Sequence, residues 1–360
     1  MKLIQTTDLR LCPAGHAGLP PEKEKQRAAE LFRCLEDMIA YAEEEEIEGI
    51  LFLGHLFDRG RIFPHMLERV LQLFREHEDL AFFYLPASRE ELAAVRDAGN
   101  VPANLELFDT NWTQFQVGNV MISGVVMEEE NAESLYEAAH FPEKLIHLVL
   151  MYQAGPDGSS LVDTGRMKHK NIACLSSGPS RDYHMESLDE SGIQVSSGSP
   201  EGLDFEEEGT RGFVVLDVDE ETRQISSRFV PFAKRQLFTI PLDITGASGN
   251  EEIIHQATQA MEERQVPNTA LVRLVLTGEL DIESEKEDGE IIRALAPSCF
   301  HLKYEDRSKF VIDASRYEND ASLRGEFVRR VLAAEDLQEE EKITIIRMGL
   351  QAIRKEEVTA

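Results

Sequence analysis

Gly49-Ile50-Leu51-Phe52-Leu53-Gly54-His55-Leu56-Phe57-Asp58-Arg59-Gly60 is the stretch on which the fold turns. Ile50 to Leu53 is a short apolar run, cut by a glycine and followed by polar residues, the pattern of a buried strand and its exit turn. In an α/β sheet, reactive side chains collect beyond the carboxyl ends of the strands. His55 and Asp58 therefore face whatever site the fold possesses. Taken alone, the same stretch is a strand and a solvated turn; its neighbours decide between the two.

On the N-terminal side, residues 2–10 form a strand that ends at Asp8, and a loop rich in Pro and Gly follows (13–21). Residues 22–46 carry Ala28, Leu31, Leu35, Met38, Ile39 and Ala42 at helical spacing. Beyond the opening stretch, residues 63–76 repeat that pattern with Met66, Leu67, Val70, Leu71 and Phe74. Residues 80–85 are a third apolar strand, followed by Pro86-Ala87-Ser88-Arg89-Glu90. The order β-α-β-α-β predicts a mainly parallel sheet with helices on its faces.

Strands then dominate: 114–117, 120–126, 145–152, 171–175 and 193–196, with 212–217 and 226–230 as an antiparallel hairpin. The fold class expected is α/β, a layered β-sandwich flanked by helices. A new rhythm begins near residue 235. The expected division is a core over 1–235, a small α/β domain over 236–315 and a helical segment over 316–360.

Charge is the strongest compositional signal. Lys and Arg number 37 against 67 Asp and Glu, a formal net charge of −30. DNA binding relies on cationic side chains displacing counterions from phosphates, so a surface this acidic argues against direct DNA binding. No apolar run is long enough to cross a bilayer, which leaves no membrane partner. The opening lacks the apolar core of a signal peptide, so a cytoplasmic location is expected. Cys12, Cys34, Cys174 and Cys299 are scattered with no C-x-x-C pair, which favours thiols over disulfides or a zinc site.

Four strand ends align in order: Asp8-Leu9-Arg10, Gly54-His55-Leu56-Phe57-Asp58, Ala87-Ser88-Arg89-Glu90, and Tyr152 with Ser176-Ser177-Gly178. Their order and spacing resemble the calcineurin-like metallophosphoesterases, which place D-x-H, G-D-x-x-D, G-N-H-[DE], H and G-H-x-H there. The opening Met1-Lys2-Leu3-Ile4-Gln5-Thr6-Thr7-Asp8 is similar to that of the SbcD-type DNA repair exonucleases. Gly198-Ser199-Pro200-Glu201 and Glu208-Gly209-Thr210-Arg211-Gly212-Phe213 look like late motifs of that branch. The resemblance implies two-metal phosphodiester hydrolysis, with Mn, Fe or Zn held by carboxylate, amide and imidazole ligands.

The positions themselves depart from that pattern. Asp8 is retained, but Arg10 stands for an imidazole and His55 for the bridging carboxylate. Ser88 stands for the amide, Arg89 for its histidine, and Tyr152, Ser176 and Gly178 for the remaining imidazoles. Asp58 and Glu90 keep acidic supporting positions. A guanidinium cannot ligate a metal. No metal or other cofactor is therefore expected, Arg10 with Asp8 and Arg89 with Glu90 or Asp58 are expected as ion pairs, and the site is expected to be catalytically vestigial. Two readings stay open beside that one: an active metal-dependent DNA exonuclease or phosphodiesterase with an altered site, in which Asp8, His55 and His184 would hold a single Mn, Fe or Zn, and an anion site built on Arg10 and Arg89. As for partners, the resemblance implies an SbcC-type coiled-coil ATPase, met by C-terminal helices. Residues 344–353, with Ile345, Ile346, Met348, Leu350 and Ile353, offer an apolar stripe for that contact or for packing within the chain. The resemblance also implies a homodimer, for which Phe63, Met66 and Leu67 are placed, unless they belong to the core.

Overall fold

The computed structural model describes residues 1–13, 15–58 and 62–359, with side chains through residue 353. The chain divides into two compact units, Met1–Gln236 and Leu237–Ala360.

In the first unit, β1 (Lys2–Thr7), β2 (Gly49–Gly54), β3 (Ala81–Pro86) and β4 (Leu105–Leu107) lie parallel in that order, joined by α1 (Pro21–Glu44), α2 (Pro64–Glu76) and α3 (Arg89–Asp97). A second sheet holds β5 (Thr113–Val117), β6 (Val120–Val126), β7 (Ile146–Tyr152), β8 (Cys174–Gly178), β9 (His184–Ser187) and β10 (Ile193–Ser196), in the order β5-β6-β7-β8-β10-β9. Between β6 and β7 runs α4 (Ala132–Ala138). The hairpin β11 (Gly212–Asp219) and β12 (Gln224–Pro231) returns to the first sheet, where β11 pairs antiparallel with β1.

Alternation along the strands builds the layers. In β2, Leu51 and Leu53 point between the sheets, where they meet Phe83, Leu85, Ile122, Leu148, Leu150 and Val195. Ile50 and Phe52 point the other way, against Leu31, Leu35 and Met38 of α1 and Val70 and Phe74 of α2. The outer face of the second sheet packs Val149, Met151 and Leu175 on Leu135 and Tyr136 of α4. The architecture is the layered sandwich with flanking helices that the strand pattern predicts. Strands buried on both faces read as unbroken apolar runs, which is why β2, β3 and β7 are so visible in the sequence.

Some elements differ from expectation. Residues 89–97 form a helix that the residues after β3 did not announce, because its apolar face consists only of Leu92 and Val95. The proposed dimer stripe on α2 splits: Leu67 is core, Met66 packs against the core, and Phe63 is exposed.

The second unit is a parallel sheet of β13 (Leu237–Asp243), β14 (Leu271–Thr277) and β16 (His301–Asp306). The short pair β15 (Glu279–Asp281) and β17 (Lys309–Val311), helices α5 (Asn250–Glu263) and α6 (Asp288–Leu295), and the helices α7 (Ser315–Glu318), α8 (Leu323–Leu332) and α9 (Glu339–Thr359) complete it. The helical residues 316–353 do not stand apart from it. Tyr317, Val328, Ile346 and Leu350 share one core with Ile282 and Phe310. The α9 stripe is accordingly divided: Ile346 and Leu350 are buried, whereas Ile345 and Met348 are exposed.

Candidate functional site

The carboxyl ends of the strands in the first unit open on a cleft of ≈ 550 Å³, lined among others by Asp8, Arg10, His16, His55, Asp58, Tyr152, Arg181, Ser199, Asp204 and Glu207. Two strand exits run side by side into it. The amide of Arg10 donates to the His55 carbonyl (3.1 Å), that of Leu11 to Leu56 (2.9 Å), and that of Asp58 to Leu11 (2.8 Å). Asp8, Arg10 and Cys12 all hold positive φ in this run, a conformation that costs energy for residues with a Cβ and is retained where surrounding contacts enforce it.

Asp8 sits at the back. Its Oδ1 accepts from the Tyr152 hydroxyl (2.7 Å) and from the backbone N–H of His55 (2.9 Å). Burial raises the Asp8 pKa, against the opposing pull of Arg10 and the His55 N–H. Tyr152, itself buried, is pushed far above its ordinary value by burial and by Asp8, so its hydroxyl remains a donor. Gly54 makes this approach possible. It has positive φ, and a Cβ there would strike both the Tyr152 ring and the Asp8 carboxylate.

In front of Asp8, the Arg10 guanidinium donates to Glu207 Oε2 at 2.8 Å, and its Nε to the Asp8 carbonyl at 3.3 Å. The N–H of Leu203 also donates to Glu207 (2.7 Å). Burial alone would neutralise both partners. Each outweighs that for the other, holding Arg10 up and Glu207 down. The pairing expected between the Arg10 and Asp8 side chains is therefore corrected: Arg10 is paired with Glu207.

Two histidines frame the floor. His16 bridges two acids, with Nε2 at 2.9 Å from Asp58 and Nδ1 at 2.6 Å from Asp204. Burial would lower its pKa, but the two carboxylates raise it to about 9; His16 is an imidazolium at neutral pH and donates from both nitrogens. Asp204 is held down to about 2, chiefly by the His16 hydrogen bond. His55 is the second, with Nδ1 3.4 Å from Glu91. Its pKa rises because Glu91 and Asp8 outweigh burial. Glu91, 1 % exposed, also accepts from the N–H of Leu56 (3.1 Å) and so pins the exit of β2.

The remaining sequence candidates scatter. Ser88 caps α3, its hydroxyl accepting from the Glu91 N–H (3.2 Å). Glu90 is exposed in the first turn of α3, and the buried acid of that turn is Glu91. Arg89 is exposed and pairs with Glu128 (2.7 Å) rather than with Glu90 or Asp58. Asp58 instead meets His16. Arg10 and Arg89 thus belong to different places and do not form one anion site. Ser176 is fully buried in the sandwich. At Gly178 a larger side chain would meet the Thr7 methyl and the Tyr152 ring. His184 is exposed on the edge strand β9, beside Glu186 (3.4 Å), and is not among the groups lining the cleft. The set Asp8, His55 and His184 is therefore not assembled.

The fit to a metal pair is poor on chemistry and geometry alike. Guanidinium, phenol and hydroxyl groups stand at the strand ends, and the Asp8 carboxylate is already engaged by two donors. Among the described residues, no three His, Cys, Asp or Glu side chains are arranged to hold a metal ion.

His16, Glu91, Asp204 and Glu207 escaped the sequence reading. Three lie in loops or acidic runs whose most economical interpretation is solvated surface. Glu91 follows the acidic residue that the motif spacing selected. Only the isolation of His16 between two Pro-Gly stretches marks it, and that is a weak signal.

No family model and no curated protein matches the chain. Among solved structures, TT1561 of Thermus thermophilus is similar at 13 % identity and a TM-score of 0.41, over 63 % of this chain and 98 % of that one. A dimetal phosphatase from Danio rerio is similar at 9 % identity and a TM-score of 0.41, over 63 % and 98 %. A novel archaeal phosphodiesterase is similar at 9 % identity and a TM-score of 0.34, over 64 % and 100 %.

Proposed function

We propose that this chain has the layout of an SbcD-type metallophosphoesterase without a two-metal centre, and that it acts as a non-catalytic scaffold or partner subunit of an SbcC-type ATPase. One observation carries the first half of this reading. The strand ends that would present metal ligands are already engaged, Tyr152 with Asp8 and Arg10 with Glu207 of the loop before β11. A half-buried guanidinium paired with a carboxylate supplies the positive charge that a cation would otherwise bring, and it cannot activate a water. The second half rests on the resemblance and on the exposed Ile345 and Met348 of α9, which leave apolar surface for a partner helix.

The test is metal analysis of protein purified without chelators, followed by turnover of a bis-aryl phosphate with added Mn, Fe or Zn. Metal well below one equivalent and no turnover are expected. Stoichiometric metal with turnover that Asp8→Asn abolishes would replace this reading with a metal-dependent exonuclease or phosphodiesterase of altered site. Co-purification of a coiled-coil ATPase, lost in Met348→Glu, is the expected result for the partner; recovery of the chain without one removes that half.

A further inference from the structure

Over its last turns, helix α1 presents a face that the core does not cover. Asp37, Ala40, Tyr41 and Glu44 fall at i, i+3, i+4 and i+7, the spacing of one helical face. Together they line a groove of ≈ 510 Å³, whose other wall holds Phe232 and Lys234 of the segment after β12. Its floor is aromatic. Tyr41 and Phe232, both half-buried, meet edge to face with 6.3 Å between ring centres and 74° between planes. Both rest on the fully buried Phe213. Contacts with the core therefore hold the groove open in the free chain.

Its charges are not balanced within the chain. Two other acids of the groove, Glu30 and Glu201, are taken by Arg235 and Arg27. Asp37 and Glu44 are exposed, and among the described residues their carboxylates have no hydrogen-bond or ion-pair partner. Glu44 also belongs to the run Glu43 to Glu46 at the carboxyl end of α1, whose last turn has no basic residue. A helix carries partial negative charge at that end, where acids are unfavourable and a cation is favoured. Glu43 meets His77 at 2.5 Å, which leaves Glu44 uncompensated on the groove side. Lys234 is exposed on the other wall and makes no ion pair among the described residues.

We propose that this groove docks a basic, amphipathic segment of a partner protein, with apolar side chains or stems on Tyr41 and Phe232 and Lys or Arg heads at Asp37 and Glu44. A basic side chain suits both parts of the surface, since its methylenes lie on apolar area and its cationic head is attracted to ring faces and carboxylates alike. A short helix laid in an apolar groove presents its anchors at the same spacing that α1 shows here. Charge complementarity selects this occupant over a second copy of the chain, which would bring a further net charge of −30 to the contact. The site depends neither on the cleft nor on α9.

Fluorescence anisotropy of a short labelled peptide with Leu and Lys at helical spacing, titrated with the full chain at low salt, tests this. Saturable binding at one site is expected, and the same peptide with Glu in place of Lys should not bind. Asp37→Lys with Glu44→Lys should weaken binding about tenfold, because it sets like charges face to face. Ala40→Trp fills the groove without changing charge and should weaken binding as well. Glu129→Lys with Glu130→Lys makes the same change in net charge at two other exposed acids and should bind as the unmodified protein does. All the substituted positions are exposed, and circular dichroism confirms that each variant is folded. No binding at millimolar peptide, or equal weakening by the two double substitutions, overturns the proposal. So does self-association in sedimentation that Ala40→Trp abolishes, which would give the groove to a second copy of the chain.

Discussion

Tyr152 and His16 show how single side chains define this cleft. The Tyr152 hydroxyl is one of two donors to a buried carboxylate. Tyr152→Phe leaves Asp8 Oδ1 with the His55 N–H alone, and a buried acceptor that loses a donor costs about 1–2 kcal/mol. Urea unfolding at pH 7 should show that loss, with an unchanged dependence on denaturant. His16 sets a pH signature. Its folded pKa, about 9, lies above the unfolded value near 6.5, so the protonated form binds the folded state better. The stabilisation is therefore complete below about pH 6.5 and is lost as pH rises through about 9. His16→Gln should remove most of this alkaline decline, while unfolding curves for the unmodified protein between pH 6 and 10 should show it. At the acid end, Asp204 lies below its ordinary value; its contribution is present above about pH 4 and fades as pH falls toward about 2.

At the scale of the element, helix α1 is fastened to loops far along the chain by buried charge. Arg27 donates to Glu201 (2.7 Å), and Arg235 to Glu30 (2.7 Å). Glu201 also accepts from the Lys234 N–H (2.6 Å), so α1 and the segments after β10 and β12 are tied at one place. Glu201→Ala leaves the buried Arg27 guanidinium with one weaker acid, Glu30 at 3.4 Å, and its expected cost is about 3–5 kcal/mol. Thermal and urea unfolding measure it. Exposed ion pairs such as Arg330 with Glu326 should change stability by less than about 0.5 kcal/mol when removed. Helix α3 depends on its cap: Ser88→Ala removes the acceptor for the Glu91 N–H and should cost about 1 kcal/mol.

For the whole molecule, the net charge of −30 is the dominant long-range feature. Self-repulsion of that size destabilises the compact state and is screened over about 8–10 Å at moderate ionic strength. The melting temperature should therefore rise as monovalent salt is increased, as scanning calorimetry would record; a fall would show that the internal ion pairs outweigh the surface repulsion. Among the described residues no helix is long and apolar enough to cross a membrane.

The layers follow from the order of the amino acids alone. Their apolar runs and helical periodicities are local properties, and burying them leaves few arrangements besides two sheets with helices outside. That order also placed Asp8, Arg10, His55 and Tyr152 at strand ends, because strand ends are local too. Which charges meet is settled by the folded arrangement. Arg10 finds Glu207, 197 residues away, Tyr152 finds Asp8 across 144, and His16 joins Asp58 to Asp204. Nothing in the spacing of Glu201 to Glu208 separates the acids that turn inward from those that remain in water. An ion pair is a relation between positions in space, and the pattern along a chain records the path of the backbone rather than the company its charges keep.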